Sequence, residues 1–410
     1  MTASAQTLSP GGAQPAADPA PAKARPAFRI LGALSASHMV NDMMQSLIVA
    51  MYPILKGNFA LSFAQIGFIT LTYQLTASLL QPFIGLVTDK RPRPYSLPVG
   101  MFFTLVGLLL LGFAPNYPML LLASAFVGVG SSIFHPESSR IARLASGGRH
   151  GLAQSLFQVG GNMGTAIGPL LAAAFIVPFG QGSVAWFSLA ALVGAAMLLQ
   201  VSRWYSAHHV AISRSAKAAP AAPYPRRVVI GAVLVLLVLI FSKYFYVAGI
   251  SSFYTFYLIE RFGLSVQSAQ VHLFIFLFAS ALGTIFGGTV GDRIGRKPVI
   301  WVSILGVAPF ALLLPHADLF WTTVLTIIIG LVLSSAFSAI LVYAQELMPG
   351  KVGTVSGLFF GFAFGMGGLG AAVLGVFADR TSIDYVYQTI AWLPLLGLVA
   401  ALLPKEKRRA

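Results

Sequence analysis

Gly288-Thr289-Val290-Gly291-Asp292-Arg293-Ile294-Gly295-Arg296-Lys297 closes one long apolar run and precedes the next. A shorter version, Gly85-Leu86-Val87-Thr88-Asp89-Lys90-Arg91, does the same near the start of the chain, and the two aspartates are 203 positions apart. Leu61-Ser62 and Leu264-Ser265 share that offset, and Leu156-Phe157 and Leu358-Phe359 are 202 apart. The chain is therefore built twice, each half an alternation of apolar runs and charged loops.

Working outward, breaks at Pro, Gly and charge clusters leave apolar spans at 28–55, 64–88, 95–113, 118–141, 151–178, 183–205, 228–258, 267–290, 298–314, 319–346, 353–378 and 383–403. A membrane-crossing helix needs about 20 largely apolar residues, with about 17 as a lower bound. Of the 410 residues 57% are hydrophobic and 9% charged, with a mean hydropathy of +0.82. So little charge cannot cover a water-soluble surface, where about a quarter of residues are charged. Lipid-exposed backbone must satisfy its own hydrogen bonds, which leaves helices or closed barrels, and barrel strands are short and alternating. The expected fold is an all-α polytopic membrane protein, with twelve transmembrane helices in two pseudo-symmetric six-helix bundles. Soluble enzymes and nucleic-acid binders are excluded.

The expected organisation is a disordered tail at 1–27, a first bundle at 28–205, a linker at 206–227, a second bundle at 228–403 and a basic tail at 404–410. The Ala-, Pro- and Ser-rich tail lacks the apolar segment of a signal peptide. His208 and His209 fall in the linker. With both termini inside, 22 Lys and Arg face the cytoplasm; only Lys56, Arg261 and Arg380 face outward, and Lys243 lies within a span. This bias sets the orientation and explains the net charge of +15 without a nucleic-acid partner. With no cysteine there is neither a disulfide nor a thiolate metal site.

An ionisable group at mid-membrane costs about 2.5–3.5 kcal/mol on insertion scales, so each one asks for a reason. Ser35, His38, Asp42, Gln45 and Tyr52 recur at helical spacing on the first span, with His38 and Asp42 four apart. Such a pair can cycle a proton near neutral pH, or simply hold the bundle together. Lys243, Tyr246, Tyr254 and Tyr257 form the corresponding stripe on the seventh span. Lys243 can offer a point charge and three donors to an oxyanion, or pair with Asp42 or Glu137. On the fourth span, Pro136 breaks the helix ladder beside His135, Glu137 and Arg140. Gln74, Gln158, Asn162 and the pair Gln345-Glu346 are further polar candidates, either for oxyanions or as interhelical glue. No metal site is expected, because two ligands on one helix are weak grounds for one. No nucleotide-binding loop, Gly-x-Ser-x-Gly elbow or His-Glu-x-x-His is present, so neither a primary pump nor an enzyme is expected.

The loop sequence GxxxDRxGRK, complete at 288–297, resembles the signature of the major facilitator superfamily, and the likeness covers nearly the whole chain. The first copy departs after Lys90. The resemblance implies gating roles for Asp89, Asp292, Arg293, Arg296 and Arg140; a plain topology anchor is the alternative. Gly164-Thr165-Ala166-Ile167-Gly168-Pro169 looks like the superfamily's antiporter signature, with Ala172 and Ala173 at its last two positions. It implies gating by Gly164, Gly168 and Pro169 and favours efflux, although close packing alone also explains it. The superfamily's RxxxGxG arginine is missing, since Ser124 stands before Gly128-Val129-Gly130.

Ser37-His38-Met39-Val40-Asn41-Asp42, Phe134-His135-Pro136-Glu137-Ser138-Ser139-Arg140 and Ser242-Lys243-Tyr244-Phe245-Tyr246 resemble the fosmidomycin-resistance branch of bacterial exporters. The branch implies proton-driven export of fosmidomycin, a small anionic hydroxamate phosphonate, from the bacterial inner membrane. On this reading His38, Gln74, Gln158, Asn162, Lys243, Tyr246 and Tyr254 bind substrate, and Asp42, His135, Glu137 and Glu346 couple protons. A monomer working without a cofactor is expected. Uptake or exchange of organic phosphates or anions on the same fold is the rival expectation.

Overall fold

The computed structural model describes residues 26–215, 224–349 and 351–404, apart from the side chains at 89–90, 150, 209–215, 286–289, 291–293 and 352. All regular structure among the described residues is helical. In chain order the rods are α1 (Phe28–Ala50), α2 (Phe63–Lys90), α3 (Ser96–Gly112) and α4 (Tyr117–Ala145). Next come α5 (Gly151–Phe179), α6 (Gln181–His208, its helix continuing to Ser215), α7 (Arg226–Phe262) and α8 (Val266–Ile294). The last four are α9 (Arg296–His316), α10 (Leu319–Leu347), α11 (Val352–Arg380) and α12 (Ile383–Leu402).

Ten of these rods are long and apolar enough to cross a membrane. The other two are α3, which is apolar but only 17 residues long, and α1, whose centre carries His38, Asn41, Asp42 and Gln45. Both pack among the ten. Lipid-type side chains cover the outside: Phe83, Phe113, Leu189, Phe320 and Leu402 are each more than 60% exposed. Polar groups turn inward instead, which is the distribution a bilayer imposes.

The expected boundaries differ from the observed ones for local reasons. Pro53 ends α1 early; the chain breaks at Met51 and resumes over Tyr52–Phe59. In α5 the helix widens into a π turn over Ala172–Ile176, one turn after Pro169. The stretch expected as linker from residue 206 stays helical to Ser215, where His208 stacks on Trp204 and bonds its carbonyl oxygen. Residues 216–223, most of the tail at 1–27 and most of that at 404–410 lie outside the described residues.

The basic loops gather at one end of the bundle. There Ala27 N–H bonds the Ala145 carbonyl oxygen, and Lys297 bonds the Ala401 and Leu403 carbonyls. At the opposite end, Ser62, Asn116, Asp318 and Ser382 accept backbone N–H bonds at helix starts. Such side chains satisfy donors that the first helical turn leaves unpaired.

Two seams join the halves. Along one, α2 meets α11 over its length through small residues: Gly67 lies against Ala371, Gly361 against Ser78 and Gly85 against Gly353. Along the other, α5 meets α8, where Asn162 Nδ2 donates to Thr284 Oγ1 at 2.5 Å.

Candidate functional site

A cavity of about 240 Å³ lies between the halves, lined by α1, α2, α4 and α5 on one side and α7, α8, α10 and α11 on the other. Its first wall is polar because α1 lies very close to α5. Side chains at Gly160, Gly161, Gly164 or Gly168 would run into Ser35, His38, Met39 or Ser46 of α1. Small residues four apart allow this approach. The signature glycines Gly164 and Gly168 thus seat α1, and Pro169 lines the cavity.

That seating brings three expected residues together. His38 Nε2 lies 3.1 Å from Asp42 Oδ2 and 3.2 Å from His135 Nε2. His135 Nε2 is 3.7 Å from Asp42 Oδ1, which accepts a 2.9 Å bond from Asn41. His38 stacks on Phe157 at 4.0 Å, and His135 meets Phe360 and Phe364 of α11. Reasoning within a single helix gave no grounds for a metal site; α1 and α4 together assemble three ligand-type side chains in one cluster.

The facing wall carries Lys243, buried and lining the cavity. Among the described residues its ammonium has neither ion-pair nor hydrogen-bond partner. It lies 5.5 Å from the Tyr244 ring centre and 5.7 Å from that of Phe337. The alternative pairing with Asp42 or Glu137 is therefore not formed here. A buried cation without a counter-ion is costly, and an anion in the cavity removes that cost. Gln74, Gln158 and Asn162 line the same space and offer amide donors.

Several expected residues lie elsewhere. Tyr246 and Tyr254 are buried off the cavity; Tyr254 bonds Thr326, and Tyr257 stacks on Tyr387. Three residues on from Lys243 turns a side chain about 60° back round a helix of 3.6 residues per turn, so Tyr244, Val247 and Ser251 take the cavity face instead. Tyr52 bonds Thr70 inside the first half. Glu137 is buried against Arg140 at 3.5 Å, and Arg140 also bonds the Thr88 carbonyl and Tyr205 hydroxyl oxygens. That cluster ties together the basic ends of α2, α4 and α6. Glu346 sits at the basic end, partly exposed and 3.6 Å from Arg296. The side chains of Asp89, Asp292 and Arg293 lie outside the described residues.

The structure adds groups that the sequence did not single out. Tyr73 donates to Gln45 in the first wall, and Ser251, Ser252 and Phe337 line the second. The halves also meet at both ends of the cavity. At the basic end Arg143 of α4 donates to Gln345 of α10 at 3.0 Å. At the other end Asp379 of α11 accepts the N–H groups of Phe63 and Ala64 at 3.0 and 2.8 Å, and Gln270 donates to the Ala50 carbonyl oxygen. Arg143 and Gln345, like the repeat, are 202 positions apart.

Comparison with known proteins places this geometry. The family described as Major Facilitator Superfamily matches residues 34–371 and 236–410. The fosmidomycin resistance protein of Escherichia coli is 65% identical over 94% of this chain and 95% of its own length. An uncharacterised MFS-type transporter of Bacillus subtilis is 43% identical over 93% and 94%. A crystal structure of a bacterial homologue of the lysosomal transporter Spinster, inward-facing and occupied, superimposes with a TM-score of 0.66 at 16% identity. It covers 91% of this chain and 95% of its own, a likeness of fold. Matched in this way along its length, the chain belongs to the Major Facilitator Superfamily and is a multi-pass membrane transporter of a small molecule, not an enzyme.

Proposed function

We propose that the protein exports fosmidomycin, or a small anionic phosphonate like it, across a bacterial inner membrane in exchange for protons. One observation carries the anionic substrate: Lys243 is buried, faces the cavity and has no counter-ion among the described residues. A phosphonate oxygen there accepts a charge-assisted bond, while Gln158 and Asn162 supply neutral donors from the other half. The relationship to the Escherichia coli protein supports the choice of phosphonate and the outward direction.

Protons return on the first half, where His38, Asp42 and His135 face the same cavity. Glu137 and Glu346 have no place in this scheme, because they lie off the cavity and beside arginines. The bundles 28–205 and 228–403 rock about the central site, the usual arrangement for parallel repeats. Arg143–Gln345 closes one end and Asp379 at the α2 start closes the other. The basic end with both chain termini faces the cytoplasm. The carrier acts as a monomer, and its driving force is the proton gradient rather than a bound cofactor.

Accumulation of labelled fosmidomycin in cells producing the protein tests the direction. Export predicts less drug inside than in control cells, and recovery to the control level when a protonophore collapses the gradient. Increased drug inside would point to an uptake carrier for organic phosphates or anions. An unchanged level would remove fosmidomycin as the substrate.

A further inference from the structure

The hydrogen bonds on the far side of each imidazole determine what the His38–Asp42–His135 cluster can hold. His38 Nδ1 lies 2.7 Å from the Phe157 carbonyl oxygen. A carbonyl only accepts, so Nδ1 carries the hydrogen. His135 Nδ1 lies 3.1 Å from the Ser131 carbonyl oxygen and 3.2 Å from the Ser131 hydroxyl oxygen; donation to the carbonyl gives this ring the same tautomer. In both neutral rings the Nε2 lone pair is therefore left pointing into the cluster, with the Asp42 carboxylate beside them. Three Lewis bases converge on one point, and that is stable only with a cation among them.

The spacing is compatible with a metal site. With metal–nitrogen bonds of about 2.0–2.1 Å, the edges of a zinc tetrahedron are about 3.3–3.4 Å. The two nitrogens are 3.2 Å apart, and they lie 3.1 and 3.7 Å from opposite oxygens of the Asp42 carboxylate; one donor atom from each residue falls within 4.8 Å of the others. The surrounding bonds match as well: ligating imidazoles commonly donate their other N–H to a carbonyl, and ligating carboxylates are themselves hydrogen-bonded, as Asn41 does for Asp42. At Gly161 even a methyl group would strike the His38 ring and Asp42 Oδ2. Two imidazoles and one carboxylate suit zinc-like ions, whereas magnesium and calcium prefer oxygen donors throughout.

We propose that His38 Nε2, His135 Nε2 and the Asp42 carboxylate form a three-ligand site for a divalent transition metal of zinc type. Its fourth position opens into the cavity, where an anionic oxygen ligand completes the shell. Metal and proton are alternative occupants of the same lone pairs. The assignment does not depend on the direction of transport or on the drug.

The test uses the purified full chain in detergent, with cobalt(II) alone as the probe and zinc as competitor. The site predicts visible absorption bands of four-coordinate cobalt at one ion per chain, abolished by added zinc. His135→Ala and Asp42→Asn should each weaken binding by more than ~100-fold, since even outer-shell changes cost about 10–100-fold. The double variant His208→Ala/His272→Ala, neither of which lines the cavity, should bind as wild type. Thermal melting of every variant checks folding, and His38→Gln provides a third, conservative ligand change. No cobalt spectrum from the wild type would overturn the proposal and leave the transport reading untouched. A spectrum that survives loss of His135 and Asp42, or disappears with His208 and His272, would overturn it too.

Discussion

Lys243 combines three properties that rarely coincide in a membrane interior: it is ionisable, buried and without a counter-ion among the described residues. If it binds the substrate anion, Lys243→Met removes a charge-assisted bond worth roughly 1.5–3 kcal/mol. The dissociation constant for fosmidomycin, measured by calorimetry, should then rise about 10–100-fold. Folding should survive, because removing an uncompensated buried charge relieves strain on the bundle. Lys243, His38 and Asp42 were legible in the sequence, as the lone cation inside a span and an i, i+4 pair on an apolar helix. Tyr246 turns back from the cavity face and Tyr254 lies beyond Ser252, the last residue of α7 that lines the cavity; one stripe drawn down a long helix records neither. The meeting of His135 with that pair joins residues 97 positions apart, and no local pattern records such a contact.

At the scale of elements, the seam between α1 and α5 sets the site. Gly161→Ala pushes a methyl group into His38 and Asp42 and should cost about 1–3 kcal/mol, as overpacking does. It should lower the thermal midpoint and impair transport together. Gly231→Ala, with open space around it, should not lower the midpoint. The antiporter-like signature was readable as small residues, and its role in seating α1 came only with the partner helix.

Asp379 is a second element-scale device. Its carboxylate caps the start of α2 from α11, and an anion at a helix N-terminus is worth about 0.3–1 kcal/mol. Asp379→Asn should therefore shift the population open at that end by roughly 2–5-fold. Spin labels on Asn58→Cys and Thr381→Cys, unique in a chain without cysteine, would report the change as a longer distance. An unaltered distance distribution would remove Asp379 as a latch. Span positions were legible to within a few residues because apolar runs and polar breaks are local. The break at Met51 and the π turn at Ala172–Ile176 depend on backbone geometry and were not.

Across the whole molecule, the cavity sets the buried Lys243 of one half opposite the His38–Asp42–His135 cluster of the other, with contacts between the halves at each end. Arg143–Gln345 and Asp379–α2 cannot both hold throughout a cycle in which the cavity opens to each side in turn. The duplicated loops revealed the two halves and the basic end. The two closing contacts could not be read in advance, since each joins residues separated by more than 200 positions. The central claim is exchange of an anionic phosphonate for protons through one cavity. Proteoliposomes holding purified protein, given a gradient of labelled fosmidomycin while lumenal pH is recorded, test it most directly. The account predicts proton movement opposite to the drug and tied to its flux, with both abolished in Lys243→Met. Drug flux that leaves lumenal pH unchanged and ignores an imposed pH gradient would contradict it.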